Sequence, residues 1–295
     1  MKTRILFFFL VTSHASAERM NIYLQADEDG KVTPEFSVPY SWNENLFSSL
    51  SYSSSTTTTT GDSAITSSSS TTIGQDLIIL GILGYKESVG ALQFSGSLNY
   101  QYLTLDKKEF GYGELNREGN SDLFIIENHV DITSTAPSIS ADVTYRTDFF
   151  SIRSGANVTI GSNLDVEQNT RFQYQEQVAS HIQSGSKQKG GYNIYAESEF
   201  NLAPSFGMVL SADYRVLPLD YTVSVLNSDL VSFSDQNISQ ESSTLSYSLL
   251  FIMKHSIAGM HPSLGITRKK VTSDDGDLSE TTTGNYITFG FEQRF

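Results

Sequence analysis

The sequence predicts an all-β chain that forms a membrane-spanning, antiparallel, up-and-down β-barrel. One observation is the last segment, 286–295, in which side chains alternate between an apolar and a polar face. A second is a series of similar segments of about ten residues upstream, each as long as a tilted membrane-crossing strand. The third is composition: 15 Tyr and 18 Phe accompany many Ser and Thr residues, with no Cys. Aromatic residues suit the outer face of such a wall, and hydroxyl groups suit a wet interior.

The amino terminus has the pattern of a cleaved secretory signal over residues 1–17. Lys2 and Arg4 precede the apolar run Ile5–Val11, and Ala15-Ser-Ala17 supplies small residues for a signal peptidase. That run is too short to span a bilayer as a helix, and no later segment is longer. Because the chain has no Cys, a lipid-anchored lipoprotein and a disulfide framework are both excluded.

Net charge and mean hydropathy further limit the classes of protein to which this chain could belong. The formal net charge is -14, and loss of Lys2 and Arg4 would make it about -16, which argues against nucleic-acid partners. A hydrophobic content of 38% and a mean hydropathy of -0.22 first suggest a soluble domain, such as a β-sandwich. A barrel resolves the conflict, because only alternate residues of each strand face lipid.

Alternation read backward from the carboxyl terminus predicts twelve strands. They are 45–54, 74–85, 90–104, 122–133, 138–147, 149–160, 164–179, 190–202, 206–216, 243–254, 262–271 and 286–295. The barrel domain is therefore 45–295. Residues 18–44 are predicted to be a periplasmic lead-in or a plug inside the lumen, with Tyr40 and Trp42 at the inner interface.

Connection lengths test the strand count, since such barrels alternate short periplasmic turns with longer outer loops. Long outer connections are expected at 55–73, 105–121, 180–189, 217–242 and 272–283. Inner turns are expected around Lys86, Pro137, Ser162, Pro204 and His255 to His261. Both ends of the barrel then lie in the periplasm. The very short outer connection at Thr147-Asp148 fits least well; if it or strand 164–179 is wrong, the barrel has ten strands.

The terminal strand resembles the carboxyl-terminal signal of Gram-negative outer-membrane β-barrels. Its outward residues Phe289, Phe291 and the terminal Phe295 carry the resemblance. The resemblance implies an integral protein of the cell outer membrane, surrounded by lipid and lipopolysaccharide. It also implies recognition of Phe295 by the barrel-assembly machinery.

The polar face of each predicted strand would line the lumen. The candidate lumen-lining charged residues are Glu127, His129, Asp131, Arg146, Arg153, Arg171, Glu197, Glu199, Asp213, Arg215, Glu292 and Arg294. Such charges can pair into a network that fills a narrow barrel. Alternatively, unpaired acidic and basic groups can face one another and create a transverse field in an open pore, where the acidic excess favours cations.

Few motifs of the sequence have chemistry suited to catalysis or metal binding. Outer-membrane phospholipases and lipid A deacylases have a His-x-Ser pair on a strand. No histidine of this chain belongs to such a pair at a comparable position. His129 and Asp131 distantly resemble the Asp/His dyad of omptin proteases, but in reversed order. Asp274-Asp-Gly-Asp277 lacks the spacing of a calcium loop and reads as a turn. The sequence therefore predicts no enzyme, cofactor or metal.

Strand number, signal peptide and terminal Phe resemble two groups of outer-membrane proteins. One is the small substrate-channel barrels, and the other is solitary autotransporter-like β-domains. Residues 18–44 are too few for a passenger and a pore-spanning helix. The leading hypothesis is a passive or weakly selective pore for small polar solutes. The alternative is a closed barrel whose outer loops mediate surface interactions.

Overall fold

The computed structural model describes residues 16–17, 19–27, 30–61, 68–117, 120–172, 177–226, 232–257, 260–274 and 279–294. The strands are β1 (Ser16–Ala17), β2 (Arg19–Ala26), β3 (Val32–Ser41), β4 (Leu46–Gly61), β5 (Ser68–Val89), β6 (Leu92–Arg117), β7 (Asn120–Arg146), β8 (Phe150–Thr159), β9 (Ser162–Phe172), β10 (Gln177–Gln188), β11 (Tyr192–Ala203), β12 (Phe206–Leu226), β13 (Phe233–Met253), β14 (His261–Asp274) and β15 (Ser279–Arg294). Within these ranges no helix is long and apolar enough to cross a membrane. Residues 1–15, most of the predicted signal, lie outside the description.

Twelve antiparallel strands close into a barrel, which confirms the predicted fold and strand number. The ring runs β7, β6, β5, β4, β3, β2, β15, β14, β13, β12, β11, β8 and back to β7. Strands β9 and β10 form an additional hairpin, and β1 pairs with β3. Full closure leaves no edge around the middle of the wall, so the backbone hydrogen bonds there are made internally.

An apolar belt surrounds the outer face of the wall. On β6 it runs from Leu92 to Tyr102, about the length of a strand that crosses a bilayer. On β15 the exposed Ile287, Phe289 and Phe291 belong to it. The intervening residues of each strand face the lumen because side chains alternate with a period of two.

Residues 122–133 and 138–147 form one strand, β7, and not two strands joined at Pro137. The register runs unbroken past Pro137, which lies opposite Tyr100 of β6. On its other side β7 changes partner at this point, from β8 to β9. Pro137 has no N–H to donate, and this is the place where one ladder ends and the next begins. Its carbonyl still accepts a hydrogen bond from the N–H of Ile160, at 3.0 Å.

The predicted strand 164–179 is instead the β9–β10 hairpin, and Ser162 is not at a turn. β9 continues the direction of β8 along β7 beyond Gly161, whose φ of +112° is accessible to Gly at little cost. β10 then returns along β9, and β11 continues it beside β8. The hairpin therefore extends the wall upward from the β8–β11 pair.

Residues 18–44 are mostly wall, which corrects the prediction of a lead-in or plug. β2 pairs with β15 on one side and with β3 on the other, and β3 pairs with β4. The barrel therefore begins near residue 19 and not at 45. β2 and β3 add two strands to the predicted ring. Two others are lost, because two predicted strands merge into β7 and the predicted strand 164–179 is a hairpin outside the ring. The ring therefore still has twelve strands, although several differ from those predicted.

The rim where β2 begins and β15 ends is called the lower rim, and the opposite one the upper rim. The connections 42–45, 90–91, 147–149, 204–205 and 254–260 lie at the lower rim. Thr147-Asp148 is thus a lower turn, which removes the misfit of a very short outer loop. At 90–91 the connection has two residues, and the φ of +63° at Gly90 suits such a tight hairpin.

The upper rim is uneven. β5, β6, β7, β12 and β13 have 21 to 27 residues and extend well beyond the apolar belt. β2 and β3 have only 8 and 10 residues and turn back near the top of the belt. Above that turn, β15 and β4 pair with no strand of the described residues on their facing sides.

Candidate functional site: the barrel lumen

A cavity of about 550 Å³ occupies one side of the lumen. Strands β2 to β5 and β11 to β15 contribute their inward faces to it. Residues lining it include Tyr23, Gln25, Glu35, Gln75, Leu77, Glu197, Val209, Ser211, Asp213, Arg215, Ser246, Leu250, Thr267, Lys269, Tyr286 and Thr288. Hydroxyl and amide groups dominate the wall, so the cavity can hold water and polar solutes.

Charges of both signs face this cavity without direct pairing. Among the described residues, Asp213, Arg215 and Lys269 have no salt bridge shorter than 4.0 Å and no side-chain hydrogen bond. The charge of Lys269 nevertheless interacts with those of Glu35, Arg215 and Asp213. The Lys269 ammonium lies 5.3 Å from the centre of the Tyr286 ring, in a cation–π contact. These charges therefore stay available to a solute.

The amide of Gln25 is held in the wall of the cavity. Its Nε2 donates to Glu35 Oε2 at 3.1 Å, which positions that carboxylate between β2 and β3. Its Oε1 is buried and has no hydrogen-bond partner among the described residues. Because an unsatisfied buried carbonyl is unfavourable, this side of the cavity can accept a hydrogen-bond donor after a small side-chain movement.

An apolar cluster narrows the lumen below the charges. Val209, Leu250 and Ile252 are buried on the inner face of β12 and β13, and Tyr23 packs against them. The Tyr23 ring lies over Gly290 of β15, and Leu250 lies over Gly265 of β14, so the contact runs along the inner wall of these neighbouring strands. The cluster therefore takes up space in the lower part of the cavity.

The other side of the lumen is filled. In its lower part, Gln101 Nε2 donates to Ser138 Oγ and to Asn157 Oδ1, at 3.0 and 3.1 Å. The Arg153 guanidinium donates to both oxygens of Asp142, at 2.9 and 3.2 Å. These groups satisfy one another and narrow the free passage to the cavity side.

The upper part of the filled side is apolar. Val130 and Ile132 of β7, Leu164 and Val166 of β9, and Leu219 of β12 form one buried cluster. The hairpin thus packs against β12 across the interior. This contact closes the upper lumen on the side of β7 and β9.

Glutamine side chains join the hairpin to β12 where no strand ladder exists. Gln188 donates to the Asp220 carbonyl at 2.7 Å and accepts from its N–H at 2.6 Å. Gln168 makes the same two contacts with Ser224, at 2.9 and 2.6 Å. Gln183 accepts from the Thr222 N–H at 2.9 Å. Side-chain amides therefore replace backbone amides as partners of β12.

The predicted lumen-lining residues divide into three groups. On the inward face lie Arg146, Arg153, Glu197, Glu199, Asp213, Arg215 and Glu292. On the outward face lie Glu127, His129, Asp131 and Arg171. For Arg294 only the backbone is described, and Phe295 lies outside the described residues. Phe289 and Phe291 are exposed on the outer face of β15.

The outward position of these four residues corrects the prediction that they line the lumen, and it has a single cause. Because β7 is continuous, His129 and Asp131 share the outward face with Ile139, which is 47% exposed in the belt. Val130 and Ile132 then point inward and are buried. Two separate strands would have allowed the parity to change at Pro137; one strand does not. Arg171 follows the same parity through its pairing with Glu127.

Cavity residues of the segment predicted as a lead-in or plug were missed, among them Tyr23, Gln25 and Glu35. Their signal was available, since Ile22 and Leu24 alternate with Tyr23 and Gln25 at a period of two. The segment between the predicted signal peptide and Pro34 is too short for this alternation to stand out.

Comparisons with known proteins concern the fold. No protein-family model matches this chain, and no curated protein matches it. Solved structures with a similar fold include the P. putida toluene transporter TodX, at 10% identity and a TM-score of 0.45, covering 97% of this chain and 91% of that chain. The translocator domain of the autotransporter NalP from Neisseria meningitidis has 12% identity and a TM-score of 0.46, with 97% and 90% covered. The Ralstonia pickettii toluene transporter TbuX has 11% identity and a TM-score of 0.44, with 95% and 90% covered.

Proposed function

We propose that this chain is a non-enzymatic outer-membrane barrel that passes small polar solutes through the cavity side of its lumen, favouring cations. The observation that carries the proposal is the cavity with unpaired charges of both signs. Its lining contains the carboxylates Asp27, Glu35, Glu197 and Asp213 but only two cations, Arg215 and Lys269. Opposed charges in a narrow lumen orient a polar solute, and the acidic excess attracts cations.

The proposed orientation places the lower rim in the periplasm and the long strands outside the cell. The short lower turns and the longer upper extensions support it, because outer-membrane barrels have this asymmetry. The apolar belt would contact membrane lipid, and the upper extensions would meet lipopolysaccharide.

The test is single-channel conductance of the refolded mature chain in a planar bilayer. We expect steady, cation-favouring conductance that increases in Tyr23→Ala, because this substitution removes a bulky ring that takes up space in the lower part of the cavity. Tyr100→Ala is the control, since Tyr100 is 43% exposed on the outer face. Silence in both the parent and Tyr23→Ala would contradict the pore.

A second candidate is a closed barrel whose upper extensions bind other surface components. The filled half of the lumen and the packing of β9 against β12 favour it. A refolded, heat-modifiable barrel that is silent in the bilayer, including the Tyr23→Ala variant, would support this candidate against the pore.

A further inference from the structure

Four polar side chains form a compact cluster on the outer face of β6 and β7, beyond the apolar belt. Asp106 lies directly opposite Asp131, and Lys108 directly opposite His129. Asp106 is four residues past Tyr102, which is in the belt and 39% exposed. Since both strands are paired throughout this region, the backbone fixes the spacing of the four side chains.

Three of these side chains converge on one point. His129 Nε2 is 2.9 Å from Asp106 Oδ1 and 3.4 Å from Asp131 Oδ2. One ligand atom from each of the three residues lies within 4.8 Å of the others. A tetrahedral ion with bonds of about 2.0 to 2.2 Å needs ligand atoms roughly 3.3 to 3.6 Å apart. The His129–Asp131 distance fits this spacing, whereas Asp106 Oδ1, now in a hydrogen bond with His129, needs a small side-chain movement.

A positive charge between the two carboxylates would stabilise this arrangement. Two carboxylates directly opposite each other on adjacent strands repel and destabilise the pair. Lys108 offsets part of this repulsion through Asp106 Oδ2, at 2.7 Å. It contacts the oxygen that faces away from His129, so Asp106 Oδ1 stays directed at the imidazole.

We propose that Asp106, His129 and Asp131 bind one divalent transition-metal ion of the Zn²⁺ type on the outer surface of the barrel. Imidazole with carboxylate is a donor set suited to Zn²⁺, whereas Ca²⁺ and Mg²⁺ prefer oxygen alone. Three protein ligands leave a position for water. The side chains are 33 to 45% exposed, so an ion can enter directly from solvent. Lys108 contacts only the other oxygen of Asp106, Oδ2, and is not a ligand.

The test is calorimetric titration of the refolded, chelator-treated barrel with Zn²⁺ near neutral pH, together with Co²⁺ absorption spectra. We expect one ion per chain and a tetrahedral Co²⁺ spectrum that added Zn²⁺ removes. His129→Gln and Asp131→Asn should each weaken binding about tenfold or more. Lys108→Gln should strengthen it, because a neighbouring positive charge is removed.

His181→Gln is the matched control. His181 also approaches a carboxylate, Asp235, at 3.8 Å, and no second one within the part of the chain that the structure describes. Its substitution should leave Zn²⁺ affinity unchanged. Heat-modifiable gel migration checks that each variant is folded. Absence of Zn²⁺ binding by the parent, or the same affinity in folded His129→Gln, would overturn the site; neither result depends on whether the lumen conducts.

Discussion

Lys269 and Lys270 are chain neighbours with opposite surroundings. Lys269 lines the cavity and contacts the face of Tyr286. Lys270 lies on the exposed outer face of β14. The difference follows from strand geometry alone, because successive side chains point to opposite sides of the sheet. Substitutions of these two lysines therefore distinguish the effect of a charge inside the lumen from the effect of the same charge on the outer face.

Removal of the cavity cation should change ion selectivity. We expect Lys269→Gln to shift the reversal potential in a salt gradient further toward cation preference, because the acidic excess in the cavity grows. Asp213→Asn should shift it in the opposite direction. Lys270→Gln should leave it unchanged, and a shift in that variant equal to that of Lys269→Gln would contradict a lumen effect.

Asp106 should titrate below its ordinary range. Partial burial alone would raise its pKa, but the hydrogen bonds and charges of Lys108 and His129 outweigh it and lower the pKa from 3.8. A lowered pKa in the folded state means that the carboxylate stabilises the protein above that ordinary value. This contribution, about 0.2 to 1 kcal/mol for an exposed pair, is lost as pH falls through the lowered pKa.

The measurement is a ¹³C carboxyl titration of Asp106 in the metal-free barrel. In Lys108→Gln the pKa should return toward 3.8. A pKa of 3.8 or above for Asp106 in the parent protein would show that Lys108 and His129 do not stabilise its carboxylate.

Among the elements, the β9–β10 hairpin has an unusual attachment. Backbone ladders connect it to β7, whereas glutamine amides connect it to β12 through Asp220, Thr222 and Ser224. An amide side chain offers the donor and acceptor of a peptide group, so the hydrogen bonds of β12 are satisfied without a paired strand. The hairpin is therefore held to β12 by a few side chains that substitution can remove.

Loss of one bridge should loosen this attachment. Gln168→Leu leaves the buried N–H and C=O of Ser224 without their partner, at roughly 1 to 3 kcal/mol for an unsatisfied buried group. We expect faster hydrogen exchange at the Ser224 amide and lower stability of the hairpin. Gln236→Leu, on the exposed part of β13, is the control. Unchanged exchange at Ser224 would show that the bridge is not stabilising.

For the whole molecule, the sequence predicted the closed barrel and its twelve strands but not every strand's identity. Alternation was sufficient for the lower parts of β12 to β15, which cross the apolar belt. It failed at Pro137, because a missing N–H marks either a turn or a change of partner, and only the three-dimensional ladder distinguishes them. The facing of His129 and Asp131 depended on that choice.

The cavity could be predicted only in part. Asp213 and Arg215 were found by parity within a well-defined strand. The hairpin that fills the opposite side could not be found, since its packing against Leu219 joins residues far apart in the chain. Hydrophobic period specifies which face is buried, not which distant strand covers it.

The terminal aromatic should matter for assembly of the whole barrel. We expect deletion of Phe295 to lower the amount of folded protein in the outer membrane, because this residue resembles the end of the signal read by the assembly machinery. Membrane levels measured by heat-modifiable gel migration test it. Phe149→Ala, which removes an aromatic 76% exposed at the lower rim, is the control. Normal membrane levels of the deletion variant would contradict a role of Phe295 as an assembly signal.

The short β2 strand has a kinetic consequence. Its pairing with β15 joins the first and last strands of the ring, from Ile287↔Ala26 to Arg294↔Arg19. This ladder has the greatest sequence separation in the barrel and is one of its shorter ones. Bringing such distant segments together carries the largest loop-closure entropy, while few new contacts repay it. The β2–β15 seam should therefore be the last ladder to form when the chain folds and the first to open when it unfolds.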